Sequence, residues 1–288
     1  MNAIRFCGEV NLGNALIILN SMIYVCERIG CRYVIIPEGI LSQLITEPIF
    51  YWEHNITIIQ PYRIEQFNIT NITVGCWESI YGWRHNKTQH GIRFGLLKEQ
   101  ILNNLPKYEA SPDDLYINIR SGDIFVNMPH GLYSQPPLCY YTKIIDENWG
   151  RFKNIFILSN GKENPLVNIL LEKYPFIKYI HGTILEDVSI LTSAYNIVLP
   201  ISSFSFSVIR FNDHLLNLWH FDIQVKNEQF GFYSRDEDLN FGKFTRYKMI
   251  PSALYKRKMK GKWRIQPKQL KLMITDKCNN KFEIIKPK

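Results

Sequence analysis

The sequence predicts an α/β protein in which short buried strands alternate with helices, the pattern of a doubly wound parallel sheet. Three observations point there. The runs LYINIR, NIFILSN and IKYIHG are short and apolar, and each leads toward a helix-forming stretch rather than into a hairpin turn. Pro137 and Pro165 stand near the first turns of two of those helices, where a missing N–H does no harm. The 288 residues, 46% hydrophobic and 21% charged, are long enough to bury a core and ordinary in composition for a globular protein.

In chain order, IRFC (residues 4–7) predicts a strand, GEVNLGN a Gly/Asn-rich loop, and Ala15 to Ile29 a largely buried helix stopped by Gly30. CRYVIIP predicts a second strand, ended by Pro37. Residues 38–90 are loop-rich, with strands in ITIIQPY and ITVGCWES, and HGIRFGLLKEQILNNLP suggests a helix up to Leu105. The polar KYEASPDD, with Pro112, reads as a linker. The second half is more regular: a strand in LYINIR, a helix over 137–149, a strand in NIFILSN, a helix in NPLVNILLEKYP, a strand in IKYIHG and a helix in TILEDVSILTSAY. NIVLPISSFSFSVIRF then reads as strand, Ser-rich turn and helix. These elements divide into an N-terminal lobe (1–110), a second lobe (111–234) and a basic C-terminal extension (235–288).

Charge separates the extension from the rest. Residues 235–288 carry 16 Lys and Arg against 5 Asp and Glu, a net +11, whereas residues 1–234 carry 18 against 21, a net −3. Such a segment suits an anionic partner, whether ligand, nucleic acid or membrane surface, or is a solvated face. Trp263, Leu270 and Met273 argue for a packed segment over a disordered one.

The cysteines at 7, 26, 31, 76, 139 and 278 form no CxxC pair, which sets aside zinc-ribbon and thioredoxin chemistry. They are too few for a disulfide scaffold; one or two bridges are compatible with them, and the sequence does not choose the pairing. N-X-S/T sequons at Asn55, Asn68, Asn71 and Asn86 fit glycosylation in a secretory compartment, and in an Asn-rich chain they also arise by chance. No signal peptide is recognisable at MNAIRFCGEV, and the apolar run Ala15 to Cys26 is too short for a bilayer. The expectation is a soluble chain, placed in the Golgi or ER lumen if its parent carries an anchor elsewhere and in the cytoplasm otherwise.

Four stretches could carry chemistry. In NIRSGDIF a strand ends on Arg120, a Ser121-Gly122 turn and Asp123. Ligands of open parallel sheets bind beyond the carboxyl ends of strands. There a guanidinium suits phosphate oxygens, turn amides can face an anion, and a carboxylate can orient the arginine or accept a proton. The plain alternative is an Arg–Asp pair closing a turn. In GEVNLGNA, Gly8, Gly13 and Asn14 precede a helix N-terminus, without the G-K-[ST] of a P-loop, either as an anion-facing loop or as a simple turn. In LEDVSILTSAYNIVLPISSFSFS, Glu186 and Asp187 lie at a helix start. Ser202, Ser203, Phe204, Ser205, Phe206 and Ser207 follow the strand, as a second anion or sugar site or as capping and core packing. In VNMPHGLY, His130 sits in a loop after the Arg-Ser-Gly-Asp turn, either as a general base or as a hydrogen-bonded loop residue.

The order of these stretches resembles the fucosyltransferase superfamily, the two-lobed, GT-B-like glycosyltransferases that include the α-1,2-, α-1,6- and protein O-fucosyltransferases. Their N-terminal G-x-x-N loop corresponds to Asn11-Leu12-Gly13-Asn14. Their H-x-R-x-G-D motif corresponds to Asn118 through Asp123. Their distal segment corresponds to Asp187, Ala194-Tyr195-Asn196 and Ser202-Ser203-Phe204. The resemblance spans residues 4 to about 212 and leaves out the extension. It implies two Rossmann-like lobes facing across a cleft and inverting, metal-independent transfer of fucose from GDP-fucose to a glycan or glycoprotein hydroxyl, with no cofactor. By the same resemblance Arg120 binds the donor pyrophosphate, Asp187 and Ser202 to Phe204 contact the nucleotide, and Gly13 and Asn14 border the donor and acceptor sites. Asn118 replaces the usual histidine, and no carboxylate stands at Asn127, Met128 or Pro129, where the α-1,6 group has its glutamate. Asp123, favoured slightly, or His130 is then the base. Against this stand a non-catalytic glycan- or nucleotide-binding protein of the same fold and, last, a nucleic-acid binder using the extension, which has no base-stacking signature.

Overall fold

The computed structural model describes residues 2–6, 11–51, 55–75, 94–126, 129, 133–222, 239, 241–278 and 281–287. The described residues up to Leu105 form one unit, and those from Pro106 onward form a second that includes the carboxyl-terminal segment.

The first unit holds strands β1 (Asn2–Phe6), β2 (Tyr33–Ile35), β3 (Ile49–Tyr51), β4 (Ile56–Ile59) and β5 (Asn71–Gly75) in the order β3-β4-β2-β1-β5. All neighbours are parallel except β3 and β4. Between β1 and β2 runs α1 (Leu12–Ile29). It begins three residues earlier than the apolar pattern suggests, because the Asn11 side chain accepts the Asn14 N–H at 3.1 Å and caps the helix. Gly13 and Asn14 therefore lie in its first turn and not in a loop, and residues 7–10, including Gly8, fall outside the described residues. Its end follows the glycine rule: Gly30 is left-handed at φ 68°, and the Cys31 N–H returns to the Cys26 carbonyl at 2.9 Å. By length and composition α1 could cross a membrane, but most of it is buried within the unit, against β1 and β2. Leu16, Leu19, Met22 and Ile23 are among its buried side chains, each contributing about 1.5–3 kcal/mol. Two short elements, α2 (Ile40–Leu44) and the antiparallel β3, fill the region read as loop. Helix α3 (Phe94–Asn103) closes the unit.

The second unit contains β6 (Asp114–Asn118), β7 (Asn154–Leu158), β8 (Lys178–Ile180), β9 (Asn196–Val198), β10 (Asn217–Phe221), β11 (Thr245–Met249) and β12 (Glu283–Ile285). Their order is β12-β11-β10-β9-β6-β7-β8, parallel throughout except for β12 at one edge. The helices are α4 (Leu138–Glu147), α5 (Pro165–Lys173), α6 (Ile184–Ser193), α7 (Ser203–Val208), α8 (Ala253–Met259) and α9 (Pro267–Thr275). Pro165 opens α5 and Asn164 caps it, accepting the Leu166 N–H at 3.0 Å; Pro137 is the residue before α4 and not its first-turn member.

The carboxyl-terminal segment is built into this unit. Tyr255, Met259, Trp263 and Met273 are fully buried in the same core as Leu115, Ile117 and Ile157, and Leu270 packs against it. A Cys139–Cys278 disulfide joins α4 to the residues after α9. β11 adds Lys248 to the sheet interior, where Asp222 at 3.2 Å and Glu283 at 3.9 Å neutralise it.

Candidate functional site

The strand order fixes where a ligand crevice falls. From β6 the chain adds β7 and β8 on one side, then passes through α6 and places β9 on the other side of β6. The sheet therefore changes direction between β6 and β9, and side chains beyond their carboxyl ends border a natural binding site. Arg120 follows β6, and Ser202 to Phe204 follow β9.

Asn118 ties the two ends together. It is buried; its Nδ2–H donates to the Leu158 carbonyl at 3.1 Å, and its Oδ1 accepts the Ser205 hydroxyl at 2.6 Å. Its amide is thus a strut between β6, β7 and α7, at the position where the resembled motif carries histidine.

Arg120 is aimed by two neighbours. Its Nη2 lies 2.9 and 3.3 Å from the two oxygens of Asp123, and its guanidinium carbon sits 4.4 Å from the centre of the Tyr133 ring. Burial of most of the side chain strengthens both contacts. Asp123 is exposed, and both its oxygens face Arg120, so it first serves to orient the guanidinium. His130 lies outside the described residues.

The Ser121-Gly122 turn does not leave its amides open to an anion as the sequence suggested. The Ser121 N–H donates to Asn160 Oδ1 at 3.2 Å, and the Gly122 N–H donates to Glu163 Oε2 at 3.1 Å. The Ser121 hydroxyl donates to the same Glu163 oxygen and accepts the Asn164 N–H, each at 2.8 Å. Asn164 Nδ2–H in turn donates to the Arg120 carbonyl at 3.0 Å. The loop after β7 therefore clamps the backbone that carries Arg120. Glu163 is held below the usual carboxylate range, first by its own backbone N–H and then by Ser121. Glycine suits this position: its φ is +63°, and a Cβ would stand 2.9 Å from Asn160 Nδ2, which would have to shift.

Beyond β8, Thr183 and Glu186 form a reciprocal capping box that starts α6, which accounts for Glu186 structurally. Asp187, in the same first turn, is different. It is buried, and its Oδ1 has no hydrogen-bond partner among the described residues. Burial pushes its carboxyl up to about 7; His181 opposes the shift and Glu186 adds to it. His181 Nδ1 lies 3.2 Å from the Ser159 carbonyl and its ring stacks on Tyr179. Beyond β9, Ser202 is the buried residue preceding α7, its side chain making no capping bond, and Ser203 and Phe204 are half-buried in the first turn.

Arg120, Asp123, Asn118, Asp187 and Ser202 to Phe204 thus all lie at the carboxyl ends of one sheet. Gly13 and Asn14 belong to the first unit. Tyr133, Asn160, Glu163 and Asn164 were not anticipated. The turn-forming run SNGKENP directly after a predicted parallel strand was the available signal for the last three.

No protein-family model and no curated protein sequence matches the chain. Among solved structures it is similar to the E. coli heptosyltransferase WaaC with ADP, at 10% identity and a TM-score of 0.43 over 85% of this chain and 93% of that one. The same enzyme with ADP-2-deoxy-2-fluoro heptose gives 9% identity and a TM-score of 0.40, over 77% of this chain and 88% of that one.

Proposed function

We propose that this chain is a glycosyltransferase that takes its sugar from a nucleotide-sugar donor, with GDP-fucose as the donor and a glycan or glycoprotein hydroxyl as acceptor. The observation that carries the reading is Arg120, fixed at the β6/β9 change of direction by Asp123 and Tyr133. When the bond from sugar to phosphate breaks, negative charge develops on the leaving diphosphate. A pre-aimed guanidinium stabilises that charge without reorganising and without a divalent ion. Asp187 supplies the second half: a buried acid with an unused oxygen suits the paired N–H donors of a guanine edge better than adenine, which offers only one such group beside acceptors. In this reading Ser202, Ser203 and Phe204 contact the ribose or a phosphate. Deprotonation of the acceptor falls to His130 or to Asp123 released from Arg120.

Exposed Asn55, Asn68 and Asn71 within sequons, together with the disulfide, support a secretory lumen as the compartment.

The test is thermal stabilisation by GDP, GDP-fucose, GDP-mannose, ADP and UDP-sugars in the presence of EDTA. Stabilisation by GDP and GDP-fucose is expected, with loss of the effect in Arg120→Ala. His130→Ala is expected to keep the binding and lower turnover. Normal GDP binding by Arg120→Ala would show that the phosphate site lies elsewhere.

One observation favours a second reading, a nucleotide-binding protein without transferase activity: both oxygens of Asp123 are engaged by Arg120. GDP binding without fucose transfer across an acceptor panel would favour it.

A further inference from the structure

The outward side of the carboxyl-terminal helices is a cationic face with no internal counterpart. From residue 239 to residue 275 the chain has 11 Lys and Arg and no Asp or Glu. In α8, Tyr255 and Met259 point into the core, while Leu254, Arg257 and Lys258, at i, i+3 and i+4, are exposed on another side. In α9, Gln269 and Met273 face inward, and Lys268 and Lys271 are exposed. Lys262, between the helices, is also exposed. Among the described residues no carboxylate lies within ion-pair distance of Arg257, Lys258, Lys262, Lys268 or Lys271.

This face is rigid. Gln269 closes the turn between the helices, donating to the Lys262 carbonyl at 2.6 Å and accepting the Arg264 N–H at 3.0 Å. The disulfide at Cys278 fastens the end of the segment. The fold gathers these cations with no paired carboxylate among the described residues, and an anionic surface would offset their mutual repulsion.

We propose that this face docks the protein on an anionic lipid bilayer. Two features favour lipid over nucleic acid. Leu254 is 46% exposed among the cations, where it gains by entering the interfacial layer and gains little on a phosphate backbone. Within α8, α9 and the turn between them the aromatic side chains that could stack on bases, Tyr255 and Trp263, are fully buried. Lysine and arginine stems can lie along the headgroup layer with their charges toward phosphate. Each such charge near an anionic leaflet adds about fivefold to affinity. The proposal is independent of the nucleotide site.

The experiment is co-sedimentation of the full chain with phosphatidylcholine vesicles, with and without phosphatidylserine, over a salt series, beside heparin and duplex DNA binding. Binding to the anionic vesicles alone, weakening as salt rises, is expected. The triple variant Arg257→Glu/Lys258→Glu/Lys262→Glu should lose about a hundredfold in vesicle affinity at an unchanged melting temperature. Leu254→Ser, which removes the apolar side chain without changing the charge, should weaken vesicle binding and leave DNA and heparin binding unaltered. The control triple Lys107→Glu/Lys153→Glu/Lys173→Glu, with the same change in net charge, should bind vesicles nearly as wild type. The proposal is overturned by no binding to anionic vesicles, by an equal loss in the control triple, or by DNA or heparin binding tighter than vesicle binding with no effect of Leu254→Ser on the latter.

Discussion

The Trp263 indole N–H donates to the carbonyl of Ile124 at 2.8 Å, so the carboxyl-terminal segment holds the residue that directly follows Asp123. The same indole meets Phe125 edge-on, with ring centres 5.5 Å apart. The turn that presents Arg120 is thus gripped from the β7–α5 loop on one side and from Trp263 on the other. Trp263→Phe keeps most of the ring and removes the donor, which leaves the Ile124 carbonyl unpaired at a cost of about 1–3 kcal/mol. Trp263→Ala adds a cavity and is expected to lose about 3–5 kcal/mol. Urea unfolding measures both. If the grip matters to the site, the Phe variant also binds GDP more weakly while remaining folded.

Cys139 and Cys278 are 139 residues apart in sequence and directly bonded. In the chain-entropy description, a loop of that length removes about 5 kcal/mol of freedom from the unfolded chain. Cys278→Ser should therefore lower the melting temperature substantially. The wild type should fall toward the variant in reductant, and the variant should be indifferent to it. Equal melting of the two under oxidising conditions would mean that the bond does not form in solution.

What the sequence disclosed and what it hid follow from the range of the interactions. The strands from LYINIR to NIVLP were legible because each is an apolar run short enough to be a strand and set between helices. The start of α1 was displaced because the cap is a side-chain bond from Asn11, which apolar periodicity does not register. The strand TRYKM was lost in the charge of the extension: Lys248 reads as surface until Asp222 and Glu283 are seen beside it. Arg120 and Asp123 could be paired because they are three residues apart. The Asn118–Ser205 bond, 87 residues apart, and the Ser121–Glu163 bond, 42 apart, depend on the order of strands in the sheet, which no local pattern encodes.

Gly122 tests the clamp. Gly122→Ala would place a side chain on a backbone at φ +63° and push its Cβ to 2.9 Å from Asn160 Nδ2, so Asn160 must leave the Ser121 N–H or the turn must open. The backbone strain alone is about 1–3 kcal/mol. The expected outcome is a folded protein of lower stability whose GDP affinity falls further than that of a destabilised variant elsewhere in the unit. Ile155→Val, a core change in β7 away from the turn, is the comparison. Equal losses of affinity in the two would reduce the clamp to ordinary packing.

Asp187 gives the protein a pH dependence of both stability and binding. Its carboxyl is raised to about 7 in the folded chain by burial, against about 3.9 in an unfolded one. Well below pH 4 both states hold the proton and the burial of Asp187 carries no ionic penalty. As pH rises from 4 to 7 the unfolded chain releases the proton first, so stability falls, and above 7 the loss is complete at as much as about 4 kcal/mol. Asp187→Asn cannot ionise. It should match the wild type in stability near pH 4 and exceed it progressively up to pH 8, measured by denaturant unfolding at each pH. Nucleotide binding should run the other way. If the ionised carboxylate accepts the guanine N–H groups, wild-type GDP affinity rises with pH up to about 7 and then levels, whereas the Asn variant binds GDP weakly at every pH. A residue that lowers the stability of its own fold at neutral pH and is needed for ligand there is the mark of a binding site, and a stabilised variant with intact GDP affinity would remove Asp187 from it.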